Sequence, residues 1–230
     1  MLTHLAMLNR MVLDFLFPAR CVACGREGSY ICEGCMLSAS YINPPFCPVC
    51  ILPVEGKRRC DCHYWKSLDG LNSLFAFKGA IREAVLQFKY YNLRAIAPLL
   101  GGLMFNNLKS AHYKPDLLIA VPLHKKRLRE RGFNQSELLA REICTLTGIY
   151  RSKSLVRKYN NPSQVNSKNA GQRRKNVSMA FSCTGSQVEG KNILLIDDVA
   201  TTGATLDACA SALKVCGAAR VRGLTLAREI

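Results

Sequence analysis

The stretch ILLIDDVATTGAT, Ile193 to Thr205, constrains the fold more than any other part of the chain. Four branched apolar residues in a row leave no polar face, so a strand built from them must be covered by protein on both sides. A strand of that kind belongs in a parallel sheet flanked by helices. Asp197 and Asp198 then fall at its carboxyl end, the edge where open α/β sheets bind ligands. The residues that follow, Ala200, Thr201, Thr202, Gly203, Ala204 and Thr205, are small or hydroxyl-bearing and lead into a helix beginning near Thr205. Backbone N–H groups of such a turn, with a helix N-terminus behind them, form an anion cradle. Gly203 permits close backbone approach, and the three threonines add hydroxyl donors. Two carboxylates beside a phosphate are compatible if they face the hydroxyls of a sugar, with a divalent cation balancing charge. The stretch therefore suits a sugar with a phosphate on one arm, a ribose 5-phosphate. It lacks the G-K-[ST] of a Walker loop.

The rest of residues 71–230 fits the same architecture. LNSLFAF (71–77) reads as a strand, and Ile81, Ala84, Val85 and Phe88 mark a helical face. Ile96, Leu99, Leu100 and Leu103 mark another helix, ending near Asn106 or Asn107. DLLIAVP (116–122) is a short apolar run stopped by proline, as a buried parallel strand would be. Asn134 and Glu137 have capping-box spacing before Leu139, Ile143 and Leu146, and Gly148 ends that helix. ILLIDD (193–198) is the next strand, Leu206, Cys209, Ala210 and Leu213 the next helical face, with Gly217 as its stop, and VRGLTLA (221–227) the last strand. Strands separated by helices predict βαβ units and a mostly parallel sheet. Between Arg151 and Asn176 lie eight Lys/Arg and no acid, a segment too long for an ordinary connection and read as a lid.

Eight of the twelve cysteines lie between residues 21 and 62 and come in pairs. Cys21-x2-Cys24-x7-Cys32-x2-Cys35 is followed by Cys47-x2-Cys50-x9-Cys60-x-Cys62. Two knuckles of two thiolates supply the four sulfurs of a tetrahedral zinc site, and four cysteines leave no vacant ligand position, so the zinc is structural. Sequential pairing gives one ion to each set of four; an interleaved arrangement satisfies the same spacing, and His63 can substitute in the second set. The domain expectation is therefore residues 1–70 for an N-terminal helix and cysteine-rich module, and 71–230 for the α/β domain. Cys144, Cys183, Cys209 and Cys216 read as buried small hydrophobes.

Charge is unevenly placed. Residues 1–70 carry seven Lys/Arg and six Asp/Glu, whereas residues 71–230 carry 25 and ten, or +15 of the chain's +16. Such a field attracts polyanions. The N-terminal apolar run is broken by His4, Asn9, Arg10 and Asp14, unlike a signal peptide. No stretch approaches the roughly 20 apolar residues that cross a bilayer, so a cytoplasmic chain without stable membrane insertion is expected.

DDVATTGAT closely resembles the 5-phosphoribosyl-1-pyrophosphate (PRPP) motif of type I phosphoribosyltransferases. LFPARCVAC near the N-terminus, VPLHKKRLRERGFNQ (121–135) and NPSQVNSKNAGQRRKNVSMAF (161–181) together resemble the ComF/GntX family. That resemblance covers essentially the whole chain. It implies a double zinc ribbon joined to a phosphoribosyltransferase domain, in a bacterial protein connected with natural competence and the uptake of single-stranded DNA.

By that resemblance, Asp197 and Asp198 hold the ribose hydroxyls, the Ala200–Thr205 turn holds the 5-phosphate, and His124, Lys125, Lys126 and Arg127 hold pyrophosphate. Departure of pyrophosphate builds positive charge on the ribose; cations with Mg²⁺ stabilise the leaving group, and carboxylates stabilise the sugar. Arg173, Arg174 and Lys175 are placed to close a lid over pyrophosphate or to grip a nucleic-acid backbone. Three functions follow as expectations: transfer of phosphoribosyl from PRPP to an unidentified acceptor, binding of PRPP or single-stranded DNA without turnover, and docking of a competence helicase through the zinc ribbon.

Overall fold

The computed structural model describes residues 18–42, 65–110, 113–158 and 180–229. In chain order its elements are α1 (Glu33–Leu37), β1 (Gly70–Ala76), α2 (Gly79–Tyr90), a 3₁₀ turn (Arg94–Ile96), α3 (Ala97–Ser110), β2 (Leu117–Ala120), α4 (Lys125–Arg131) and α5 (Gln135–Thr147). They continue with β3 (Tyr150–Arg151), β4 (Leu155–Arg157), β5 (Phe181–Cys183), β6 (Asn192–Ala200), α6 (Ala204–Val215) and β7 (Arg220–Arg228).

Five strands form one sheet in the order β1-β7-β6-β2-β3, every pairing parallel, with β6 in the middle. Alternate side chains of β6 enter different cores, because successive residues of a strand point to opposite faces. Leu194 and Ile196 join Ile81, Phe88, Leu100 and Ile143 from α2, α3 and α5. Ile193 and Leu195 join Leu206, Cys209 and Leu213 of α6 and Phe181 of β5. The apolar run of the sequence thus becomes the central strand of a three-layer fold. Each of these fully covered side chains contributes roughly 1.5–3 kcal/mol.

Topology fixes where a ligand can enter. After β2 the chain passes to α5, on one face; after β6 it enters α6, on the other. Adjacent strands that send their connections to opposite faces leave a crevice at their carboxyl ends. Asn134 fastens the β2–α5 connection beside it: its side chain donates to Val121 O (3.0 Å) while capping α5 through the amide of Ser136 (3.1 Å).

Several local expectations change. β6 runs past Asp198 to Ala200, because Val199 and Ala200 pair with Ala227 and Arg228 of β7. α3 continues to Ser110, its last turns held by buried Met104 and Leu108. Glu137 does not close a capping box; it forms an ion pair with Arg151 instead. The acid-free segment begins as ordered structure, since β4 pairs antiparallel with β5 and the buried Ser152 and Ser154 hydroxyls bond each other at 2.7 Å. Of the four cysteines read as buried hydrophobes, Cys209 is buried while Cys144, Cys183 and Cys216 are partly exposed.

Residues 18–42 lie against β1 and α2. Ala76 N donates to Ser40 O (2.8 Å), Ile42 N donates to Leu74 O (3.1 Å), and Ile31 joins the core beside α2. The expected N-terminal helix lies outside the described residues. Among them, no helix is long and apolar enough to cross a membrane.

One close contact makes the packing testable. A Cβ added at Gly101 of α3 would lie 2.5 Å from Cβ of Glu142 on α5. Gly101→Ala gains about 1 kcal/mol of helix propensity but forces the helices apart, at a cost of about 1–3 kcal/mol. A lower denaturation midpoint is expected, read by chemical unfolding of the full chain; an unchanged or higher midpoint would refute the tight α3–α5 contact.

Candidate functional site

The two aspartates at the end of β6 face opposite ways, as strand geometry requires. Asp198 shares the side of Leu194 and Ile196 and is buried at 5% exposure. Its Oδ1 is 2.8 Å from Lys89 Nζ at the end of α2 and accepts the amide of Val199 at 2.7 Å. Asp197 lies on the other side, where its Oδ1 accepts the Ser136 hydroxyl (2.7 Å) and the Asp198 amide (3.0 Å). Burial, and then the neighbouring Asp198 charge, push the Asp197 carboxyl up to about 7, against the pull of Ser136 and Lys89. Above about pH 7 both carboxylates are ionised against the one lysine paired with Asp198, and the strand end then suits a cation or a hydroxyl donor.

The turn after β6 forms with Asp197 a cavity of about 70 Å³, lined also by Ala200, Thr201, Thr202, Gly203, Ala204 and Thr205. Gly203 sits at φ +80°, a left-handed backbone that favours glycine, and starts α6. Thr201, Thr202 and Thr205 are exposed. The amides of Thr202, Gly203 and Thr205 donate to no protein acceptor among the described residues. Asp198 does not line this cavity; its side chain is engaged by Lys89.

The pyrophosphate candidates separate. His124 caps α4 by accepting the Lys126 amide on Nδ1 (3.2 Å), and Lys125 and Lys126 are exposed. Arg127 instead enters a cleft of about 680 Å³ shared with Lys89, Tyr90, Arg94, Arg129 and Arg131, where Glu130 is the one acid. Arg131 lies over the Tyr90 ring (5.1 Å) and Arg94 over Phe133 (4.6 Å). Gly132, at φ +73°, makes the sharp turn that joins α4 to α5. Arg173, Arg174 and Lys175 lie outside the described residues.

In the front module, Cys21, Cys24, Cys32 and Cys35 converge, with ligand sulfurs all within 4.8 Å of one another and Cys24 Sγ 3.6 Å from Cys32 Sγ. Sulfurs about 2.3 Å from a tetrahedral zinc are separated by a similar distance, so the set fits structural zinc. This convergence is the arrangement that sequential pairing requires of the first four cysteines. Cys47, Cys50, Cys60 and Cys62 lie outside the described residues.

Sequence reasoning missed several residues of the strand end. Ser136 and Lys89 are distant in sequence and were legible only as a helix start and a basic helix end. Arg157, half-buried on β4 over the Phe181 ring (5.3 Å), has its pKa lowered first by burial and then by Arg127. Trp65 and Arg228 hold the turn itself: Trp65 Nε1 donates to Thr202 O (2.9 Å) and Arg228 Nε to Thr201 O (3.2 Å).

An open parallel α/β sheet with a glycine turn into a helix at its switch point defines a broad class of α/β folds, and comparison with known proteins narrows it. A phosphoribosyl transferase domain family matches residues 87–229, and a double zinc ribbon domain family matches residues 12–63. Competence protein ComFC of Bacillus subtilis is 31% identical over 218 residues, covering 86% of this chain and 84% of its own. DNA utilization protein YhgH of Salmonella typhimurium is 27% identical over 234 residues, covering 98% and 97%. A solved glutamine PRPP amidotransferase from Bacillus subtilis is a more distant likeness, at 17% identity over 61% of this chain and 30% of its own, with a TM-score of 0.44. The chain belongs to the family of phosphoribosyltransferase-fold proteins with a double zinc ribbon that includes ComFC and YhgH.

The raised Asp197 carboxyl has a measurable consequence. Its protonated form is favoured by folding, so the associated stability is fully present below the ordinary carboxylate range and is lost as pH rises through about 7. Asp197→Asn mimics the protonated form. Its melting temperature should exceed wild type at about pH 8 and approach it at about pH 5. A variant equally destabilised at both pH values would contradict the carboxylate pairing.

Proposed function

We propose that the chain binds PRPP with Mg²⁺ at the β6–α6 turn and transfers its phosphoribosyl group to an acceptor, in the handling of single-stranded DNA during natural transformation. The observation that carries this reading is the cavity that Asp197 shares with the turn residues Ala200–Thr205, where the amides of Thr202, Gly203 and Thr205 donate to no protein acceptor among the described residues. A carboxylate and N–H donors lining one cavity are the two kinds of group that the hydroxyl edge and the phosphate arm of a ribose 5-phosphate need. The transformation role rests on the relatives named for competence and DNA utilization.

In this reading the turn binds the 5-phosphate through amides that need no reorganisation, and Thr201, Thr202 and Thr205 add hydroxyl donors. Asp197 accepts hydrogen bonds from the ribose hydroxyls, with Ser136 fixing its rotamer. Asp198, ion-paired with Lys89 on the other face of β6, fixes the strand end that carries Asp197. Arg127 and its neighbours stabilise the departing pyrophosphate. Of the two carboxylates only Asp197 lines the cavity, so it would be the ligand for Mg²⁺; when bound, the ion neutralises the leaving group's charge. Residues 1–70 act as the zinc-stabilised module and 71–230 as the transferase-fold domain.

PRPP-dependent release of pyrophosphate, assayed with Mg²⁺ across bases, amines and oligonucleotides, tests the reading. Wild type should exceed Asp197→Asn by at least about tenfold, the weight of one charge-assisted contact. Equal release by both proteins under every condition would end the transferase reading.

A second reading, nucleic-acid binding without turnover, is favoured by the cleft between α2 and α4. Five cations and one acid line it, and Tyr90 and Tyr91 are 64% and 70% exposed at the end of α2. Cations that track a backbone beside exposed aromatic faces are the chemistry of single-strand binding. Affinity for an oligothymidylate is expected to fall steeply with salt and to drop in Arg127→Ala/Arg129→Ala. Salt-insensitive or absent binding would rule this reading out.

A further inference from the structure

The chain has a single tryptophan, Trp65, two residues beyond the end of the double zinc ribbon match. Its indole packs against the turn. A Cβ added at Gly203 would come within 2.6 Å of the ring, so the glycine serves this contact as well as the backbone bend. The residues after it are fastened to the same place. The amides of Lys66, Ser67 and Leu68 donate to Asp207 Oδ1 in the first turn of α6, at 3.0, 2.8 and 2.9 Å.

Two side chains clamp two successive carbonyls. Trp65 Nε1 holds Thr202 O at 2.9 Å, and Arg228 Nε holds Thr201 O at 3.2 Å. The two clamps also touch, with the Arg228 guanidinium 5.6 Å from the indole centroid. Arg228 is itself buried, at 1% exposure, which fixes its end of the clamp. In a trans peptide the C=O and the following N–H point in opposite directions. Tying down the carbonyls of Thr201 and Thr202 on one side therefore turns the amides of Thr202 and Gly203 to the other. Those are among the amides with no protein acceptor among the described residues.

We propose that Trp65 is a positioning residue for phosphate: by holding the Thr202 carbonyl, the segment that follows the zinc ribbon pre-aims the turn's amides at a phosphoryl group. The inference rests on the ribose-phosphate reading above and deepens it. Filling the turn tightens the Thr202–Gly203 peptide, and the indole on its far side reports that change.

The test uses the full-length chain with ribose 5-phosphate as probe and ribose as control. Calorimetry should give Trp65→Phe an affinity about tenfold weaker than wild type, the weight of one hydrogen bond that orients a binding group. Circular dichroism and melting establish that the variant is folded. In wild type, the single indole emission and the single indole N–H resonance should move on addition of ribose 5-phosphate and stay fixed with ribose. A folded Trp65→Phe that binds within about twofold of wild type would overturn the inference. If that variant does not fold, the wild-type indole resonance decides: a shift with ribose 5-phosphate supports the clamp, and an unmoved resonance at saturation overturns it. Failure of wild type itself to bind ribose 5-phosphate would overturn the ribose-phosphate reading, and the positioning role with it.

Discussion

Two carboxylates at the end of a buried strand are the constraint around which the molecule is arranged. Burying a charge without a partner is expensive, and β6 delivers two charges side by side. Strand geometry sends them to opposite faces, where each has a different solution. Asp198 is neutralised by Lys89, so the end of α2 must reach the sheet edge. Asp197 takes the Ser136 hydroxyl, so α5 must begin there. What remains is a carboxyl group, Asp197, pushed up to about 7, next to a turn with unpaired N–H groups. That juxtaposition serves a bound ligand better than it serves stability.

The turn is equally a compromise. The amides of Thr202, Gly203 and Thr205 have no protein acceptor among the described residues, although unpaired backbone donors are rare in folded proteins. Trp65, Arg228 and Gly203 make that possible by fastening the opposite sides of the same peptides. The segment between the cysteine-rich module and the sheet is therefore part of the site's scaffold. A zinc ion on the four-cysteine set would supply folding energy to residues 18–42, which pack on β1 and α2.

Much of this was legible in the sequence because periodicity and burial carry it. The apolar run Ile193–Ile196 announced a doubly covered strand, and Ile81, Ala84, Val85 and Phe88 all face the core as their spacing required. Asn134 and Gly148 bound α5 as their capping chemistry implied. The extension of β6 to Ala200 was hidden because pairing with β7, and not residue preference, sets it. Glu137 looked like half of a capping box, yet a long-range partner, Arg151, claims it. Lys89, Ser136, Trp65 and Arg228 escaped notice for one reason. Each acts across the fold on a residue far away in sequence, and no local pattern encodes that.

A crystal structure of the full chain with ribose 5-phosphate tests the central physical claim most directly. Phosphoryl oxygens are expected about 2.9 Å from the amides of Thr202, Gly203 and Thr205, with the ribose hydroxyls toward Asp197. Ligand density confined to the cleft between α2 and α4, with the β6–α6 turn empty at saturating concentration, would contradict it.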